Sequence, residues 1–252
     1  MFQEPGQTEF DLRFRLLGVP VRVHPLFWVA TAVLANSFDD GTTLVTWIAC
    51  VFASILVHEF GHALVARLFG AQPHVVLYGM GGLAIYEKPS ESLRQRFFVL
   101  IMGPGAGFLL FLATMAVTCL WLGISPADAW HNRFDKGRTL PSPLALRVII
   151  FLTHINLYWG LVNLLPIMPL DGGQIATIFL TVQNPREGRR RGYILSMVTA
   201  GVAAIFLVRR EDYFLALAAG LLALMSFQAL QVMHLRTRFG GSVEDDADWW
   251  KR

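Results

Sequence analysis

Long apolar runs separated by short polar segments make up most of this chain. At a rise of about 1.5 Å per residue, the longer runs can cross the hydrocarbon core of a bilayer as helices. The first run has about 14 residues, roughly 21 Å, which is short for a crossing. The pattern predicts about six transmembrane helices, over residues 25–38, 43–69, 97–123, 144–165, 192–208 and 213–235.

Two further segments show strand patterns. Residues 12–24 alternate apolar and basic side chains around Gly18. Residues 73–86 are rich in β-branched and aromatic side chains and contain Gly79, Gly81 and Gly82. Alternation around a glycine turn is typical of a hairpin, and glycines within a strand weaken it or allow a close backbone approach. We therefore predict two small membrane-associated β-hairpins.

Composition supports a membrane protein. Of the 252 residues, 54% are hydrophobic and 15% are charged, and the mean hydropathy of +0.50 is far above that of a soluble domain. The fold class predicted is an all-α multi-spanning membrane protein with its surface in the lipid bilayer. We expect a single domain over 1–252, with the N-terminal hairpin at 1–24, a transmembrane core at 25–235 and a cytoplasmic tail at 236–252.

The basic residues indicate topology rather than a nucleic-acid partner, because they lie between the apolar runs instead of forming one stripe. With six crossings both termini lie on the same side of the membrane. Of the 21 Lys and Arg residues, 15 fall on that side and 6 on the other. The positive-inside rule then places the termini and the end of the second helix in the cytoplasm.

Small and polar residues inside the apolar runs predict close helix contacts. Gly103 and Gly107 have the small-xxx-small spacing that lets helices approach, and Pro104 between them predicts a kink. Asn156 lies in the fourth run, where an amide is expected to hydrogen-bond to another helix.

The second run carries the sequence H-E-F-G-H at residues 58–62. On a helix His58 and His62 stand one turn apart on the same face, which suits two neighbouring ligand positions of a tetrahedral zinc ion. Glu59 lies on the flank of that face, where its carboxylate can act as a general base on water. The alternative is a pair of histidines hydrogen-bonded to a neighbouring helix, with Glu59 as a partner.

A catalytic zinc ion needs a third protein ligand. Asp171 is the favoured candidate, because Pro166 and Pro169 end the fourth helix and let a loop return towards the bundle. One carboxylate with two neutral imidazoles leaves the site at net +1, which suits the polarisation of water. Asp171 with Gln174 also fits a helix capping box. The other candidate ligands are His24, His74, His131, His154 and His234.

The stretch at 58–62 together with N-L-L-P-I-M-P-L-D-G-G at 163–173 resembles the site-2 protease family of intramembrane zinc metalloproteases. The resemblance implies one catalytic zinc per chain within the helix bundle, with His58, His62 and Asp171 as ligands. It also implies that Glu59 is the general base and that Asn163 lies at the site as a stabiliser of the oxyanion.

Two departures from the family pattern are visible. Members often carry an asparagine a few residues after Gly-Pro in the third helix, whereas Gly107 occupies that place here. We also expect no PDZ or CBS domain, which some members carry, within these 252 residues.

The function implied is hydrolysis of a peptide bond in or near the transmembrane segment of a membrane-protein substrate, such as a membrane-anchored regulator. The expected location is a bacterial cell membrane. The alternative is a non-catalytic membrane scaffold or metal-handling protein of the same fold, which cleavage sensitive to a chelator would distinguish.

Overall fold

The computed structural model describes residues 5–35, 38, 40–79, 81–86, 92–131 and 142–238. These residues form a mostly helical structure with one small sheet. The helices are α1 Pro25–Leu34, α2 Gly41–Leu68, α3 Leu93–Leu122, α4 Pro126–Trp130, α5 Pro143–Asn163, α6 Asp171–Gln183, α7 Gly188–Arg209 and α8 Tyr213–Arg238. The strands are β1 Leu12–Leu16, β2 Val19–Val23, β3 His74–Tyr78 and β4 Gly81–Ile85.

Five helices of the described residues, α2, α3, α5, α7 and α8, are long and apolar enough to cross a membrane. The protein is therefore an integral membrane protein. Helix α1 has 10 residues, about 15 Å, and is not one of the five. The sixth crossing stays a prediction, as does the orientation that depends on it. The first three residues of the tail predicted at 236–252 belong to α8, and residues 239–252 lie outside the described residues.

The chain divides into two compact units. We call residues 2–87 and 102–160 the sheet unit, and residues 88–101 and 161–252 the C-terminal unit. Helices α3 and α5 each contribute residues to both units. Helix α3 is continuous through Pro104, and the kink predicted there stays a prediction.

Both predicted hairpins are present, and both belong to a single sheet with the strand order β1-β2-β3-β4. Strands β1 and β2 pair antiparallel with Leu12 opposite Val23, and β3 and β4 pair antiparallel with His74 opposite Ile85. The two hairpins join through a parallel pairing of β2 with β3. This pairing needs a long crossover, and α1 and α2 provide it. The sequence pattern predicts the two hairpins but not the parallel pairing between them.

The core of the sheet unit lies between the sheet and α2. Its buried residues come from the two inner strands and from one side of the helices, and it includes Val23, Val75 and Leu77 at 0% exposure. Phe27 of α1 and Phe60 of α2 complete the packing. The inner strands are covered and apolar, so the sheet fixes the C-terminal half of α2.

Helix α5 also packs on α2 in the sheet unit. The ring of Phe151 meets Trp47 edge to face at 5.4 Å. Deeper in the contact the amide of Asn156 donates to the hydroxyl of Ser54 at 2.9 Å and to its own helix at the carbonyl of Leu152. This confirms the hydrogen bond between helices that the sequence predicts for Asn156.

The C-terminal unit contains α6, α7 and α8. Helices α6 and α7 are in close contact because Gly188 and Gly192 have no side chains: a Cβ atom at Gly192 would lie 3.1 Å from Cβ of Thr177. The hydroxyls of Ser196 on α7 and Ser226 on α8 lie 2.7 Å apart. After Pro169 the chain forms the short helix α6, and the five-residue helix α4 lies between the third and fourth predicted membrane helices.

Candidate metal centre

Helix α2 brings His58, Glu59 and His62 into the interior of the sheet unit, with exposed fractions of 3%, 5% and 7%. Titratable groups at this depth in a membrane-length helix are costly unless they serve a site. The helix begins at Asp40, whose carboxylate caps it by accepting from the amides of Thr42 and Thr43. The motif lies in the C-terminal half of the helix, beside the sheet.

The two imidazoles face each other. Their Nε2 atoms lie 3.2 Å apart, and the ring centroids are separated by 4.9 Å. Two nitrogens bound to one tetrahedral zinc at about 2.05 Å each would be roughly 3.3 Å apart. The separation of the Nε2 atoms therefore fits two ligands of one zinc ion.

Close contact between α2 and α3 holds this part of the helix. A Cβ atom at Gly61 would lie 2.7 Å from the carbonyl carbon of Met102, which leaves no space for a side chain. The next residue of α3, Gly103, lies against the imidazole of His62. Gly103 thus provides the close approach that the small-residue spacing predicts, and its partner is a proposed zinc ligand.

Strand β4 contacts the same motif from the sheet side. The side chain of Glu59 lies on the backbone of Gly82, because a Cβ atom there would come within 2.7 Å of Cδ and Oε1 of Glu59. In the sequence Gly82 is visible as a glycine that interrupts a strand pattern. No local signal in the sequence could connect it with Glu59.

Asn163 and Asp171 belong to the C-terminal unit, and both are buried. Asn163 is the last residue of α5 and Asp171 is the first residue of α6. The loop between them folds back onto α6, since a Cβ atom at Gly172 would lie 2.5 Å from the carbonyl oxygen of Leu165. The sequence Asp-Gly-Gly therefore combines a buried carboxylate with two positions that must lack a side chain.

The capping-box alternative for Asp171 is wrong. The residue that caps α6 is Leu170, and no side chain caps the helix. Gln174 instead donates to the carbonyl of Pro169 and accepts from Arg96. Asp171 lies inside the first turn, where a carboxylate interacts favourably with the helix dipole.

Three of the other candidate ligands have structural contacts of their own. His24 caps α1 by accepting from the amide of Leu26 at 3.1 Å, and its ring meets Tyr78 edge to face. His154 has its Nδ1 atom 2.8 Å from the carbonyl of Ile150 and stacks on Trp130. His74 begins β3 opposite Ile85 and is half-buried.

His131 and His234 are exposed, as the sequence suggests for histidines at a helix end or in a loop. Gly107 faces α5. A Cβ atom at Gly107 would lie 3.7 Å from the backbone and side-chain oxygens of Asn156, an ordinary contact.

Comparison with known proteins gives a family match. The model of peptidase family M50 matches residues 46–207. A protein of Synechocystis sp. that carries a zinc metalloprotease name is 31% identical over 175 residues, which cover 64% of this chain and 41% of that protein. A zinc metalloprotease of Methanocaldococcus jannaschii is 25% identical over 186 residues, which cover 73% of this chain and 47% of that protein.

Stage IV sporulation protein FB of Bacillus subtilis is 27% identical over 177 residues, which cover 69% of this chain and 52% of that protein. The chain thus spans about half the length of the curated relatives it matches. Among solved structures, the site-2 protease from Methanocaldococcus jannaschii has the same fold, with a TM-score of 0.58 and 20% identity. That match covers 88% of this chain and 95% of the other.

Proposed function

Because this chain belongs to peptidase family M50, as its two motifs predict, we propose that it is a zinc metalloendopeptidase that cleaves membrane proteins. The observation that carries the proposal is the buried pair of imidazoles on α2, whose Nε2 atoms are 3.2 Å apart with Glu59 between them in sequence. The names of two of the relatives agree with this chemistry.

We propose that His58, His62 and Asp171 hold one zinc ion per chain. His58 and His62 are buried in the sheet unit, and Asp171 is buried in the C-terminal unit. Two imidazoles and one carboxylate are a donor set that zinc accepts, with a fourth position open. Leu170, and not Asp171, occupies the N-cap position of α6.

When bound, zinc supplies a Lewis acid that polarises a carbonyl and lowers the pKa of water to about 7. Glu59 is the general base that accepts a proton from the attacking water. The water oxygen forms the new bond to the carbonyl carbon, the C–N bond breaks, and Glu59 delivers the proton to the departing amine. Its burial beside β4 keeps the carboxylate in a narrow range of positions.

Asn163 is the proposed stabiliser of the oxyanion. Its amide is buried at the end of α5, eight residues before Asp171 in the motif shared with the family. An amide N–H directed at the developing negative charge lowers the barrier, and loss of one such donor costs about 10²- to 10³-fold in kcat.

The substrate we propose is a protein with a transmembrane segment, cleaved in or near that segment, such as a membrane-anchored regulator. Five apolar helices support a site reached from within the bilayer. Location in a bacterial cell membrane, with the termini and the active-site side in the cytoplasm, is part of the same proposal. The orientation rests on the distribution of Lys and Arg along the sequence.

Glu59→Gln tests the function. The amide keeps the size of the side chain but cannot accept the proton, so cleavage of a single-pass membrane substrate should fall about 10²- to 10⁴-fold while zinc content is unchanged. The matched control is Glu187→Gln, because Glu187 is half-exposed at the start of α7 and pairs with Arg190.

Unchanged cleavage in Glu59→Gln would remove Glu59 from the mechanism. Wild-type protein that binds zinc but shows no cleavage prevented by 1,10-phenanthroline would favour the non-catalytic scaffold instead. Both measurements use the purified full chain in proteoliposomes.

Asp171→Asn tests the third ligand. Loss of the charged donor should lower zinc occupancy in equilibrium dialysis, because a neutral amide oxygen is a weaker zinc ligand than a carboxylate. A variant that keeps full occupancy and affinity would assign Asp171 a role in α6 alone. Thermal unfolding of the metal-free protein separates the two effects.

A further inference from the structure

The approach of β4 to α2 is close enough to exclude a side chain from one strand position. Gly82 lies directly against Glu59, and a Cβ atom on Gly82 would overlap Cγ of Glu59 and lie 2.7 Å from Cδ and Oε1. Carbon atoms do not approach so closely without displacement of one group. The atoms Cγ, Cδ and Oε1 of Glu59 therefore lie in the space that a side chain at position 82 would occupy.

The surroundings of Glu59 and Gly82 restrict both residues, and the backbone of Gly82 more than the side chain of Glu59. Glu59 is 5% exposed and lies between two buried histidines of the same helix. Gly82 is held in the sheet by its pairing with Leu77, a fully buried residue of β3. A methyl group at position 82 would therefore displace the Glu59 carboxylate, because the flexible end of that side chain is the part with most freedom.

The requirement at Gly82 concerns space and not backbone conformation. Gly79 adopts a positive φ of 55°, whereas Gly81 and Gly82 do not have left-handed backbones. Among the described residues, the nearest atom to a Cβ on Gly81 would belong to Trp159, at 4.0 Å, which is an ordinary contact. Substitution by alanine should therefore meet Glu59 at position 82 and not at position 81.

We propose that Gly82 is a positioning residue for Glu59, the general base of the proposed function on which this inference rests. The absent side chain lets the carboxylate lie flat on β4, and the strand backbone then limits its position. Proton transfer needs the base within about 3 Å of the proton donor, and a displacement of about 1 Å can cost 10²-fold in rate.

The test compares Gly82→Ala with Gly81→Ala in the purified full chain. Gly82→Ala should lower kcat at least about tenfold below Gly81→Ala, with a smaller change in KM and with zinc content equal in the two variants. Equal kcat values for the two variants would overturn the inference.

A second comparison does not depend on activity. Glu59→Ala removes the atoms that a methyl at Gly82 would overlap, so Gly82→Ala should lower the unfolding midpoint less in that background than in the wild type. Equal decreases in both backgrounds would mean that Gly82 is needed for another reason. If Gly82→Ala alone fails to fold, the double variant with Glu59→Ala should still fold. Failure of both variants to fold would overturn the inference.

The outcomes separate the inference from the proposed function. Full cleavage by Glu59→Gln would remove Glu59 as the general base of the proposed function and with it any role of Gly82 in positioning a base. Loss of cleavage in Glu59→Gln, combined with indistinguishable Gly81→Ala and Gly82→Ala variants, would end the positioning role alone.

Discussion

The imidazole of His62 lies against Gly103 where α2 meets α3, so that a Cβ atom on Gly103 would be 2.8 Å from Cδ2 of His62 and closer still to Nε2. The nitrogen proposed to bind zinc is therefore positioned by a neighbouring helix as well as by its own. Any side chain at position 103 must change the direction of the His62 ring.

Gly103→Ala should consequently lower zinc affinity, because the Nε2 atoms of His58 and His62 would no longer keep a separation that suits one tetrahedral ion. We expect a loss of at least about tenfold in affinity, in the range seen when groups that orient metal ligands are changed. Competition with a chromogenic chelator measures it. Gly105→Ala is the control on the same helix, since the nearest described atom to a Cβ there would be Sδ of Met102, at 3.8 Å.

Asn156→Leu should destabilise the sheet unit by about 1 kcal/mol, because a hydrogen bond between membrane helices is worth about that much. The measurement is the free energy of unfolding in a detergent titration. The free-energy losses caused by Ser54→Ala and Asn156→Leu should overlap in part, because the amide of Asn156 donates to the hydroxyl of Ser54 at 2.9 Å. Strictly additive effects of the two substitutions would contradict the pairing.

Ser196→Ala should destabilise the loop that precedes Asp171. The hydroxyl of Ser196 accepts a partly buried hydrogen bond from the backbone amide of Met168 at 2.7 Å, and loss of such a bond costs about 1 kcal/mol. Ser226→Ala is the matched control, because it removes the other partner of Ser196 and leaves the Met168 amide satisfied. If Ser226→Ala lowered the thermal unfolding midpoint more than Ser196→Ala, Ser196 would not be needed to hold this loop.

The start of α2 should contribute a stability that depends on pH. The hydroxyl of Thr43, the amides of Thr42 and Thr43, and the nearby Arg147 lower the pKa of Asp40 from 3.8 to about 2. Because the folded pKa lies below the unfolded one, this stabilisation is present above about pH 4 and is lost as the pH falls towards 2.

Asp40→Asn keeps a capping side chain but removes the charge. The difference in unfolding midpoint between wild type and Asp40→Asn should therefore be constant near neutral pH and should shrink below about pH 4. A difference that persists unchanged to pH 2 would show that the charge of Asp40 is not responsible.

The sequence predicted the local geometry of the site well. A spacing of four residues places His58 and His62 on one helix face whatever surrounds the helix, and the structure confirms that they face each other. The hairpins were equally local, since alternation and glycine turns define them. The first helix was predicted to reach about Phe38, whereas α1 ends at Leu34.

Contacts between distant parts of the chain could not be predicted from the sequence in this way. Asn156 was expected to bond to some helix, but a partner 102 residues earlier could not be chosen from composition or spacing. The capping role suggested for Asp171 was wrong because the backbone before α6 let Leu170 occupy the cap instead. Side-chain chemistry alone does not show which residue the chain geometry places at a helix end.

The sequence by itself determined the membrane class, the pair of imidazoles and the family, because hydropathy, helical periodicity and short motifs are properties of neighbouring residues. Only the tertiary structure decided that β2 pairs parallel with β3, that Gly82 supports Glu59 and that Gly103 lies beneath His62. Those contacts depend on how helices and strands pack, and a glycine in a sequence does not reveal which atom will occupy the space it leaves.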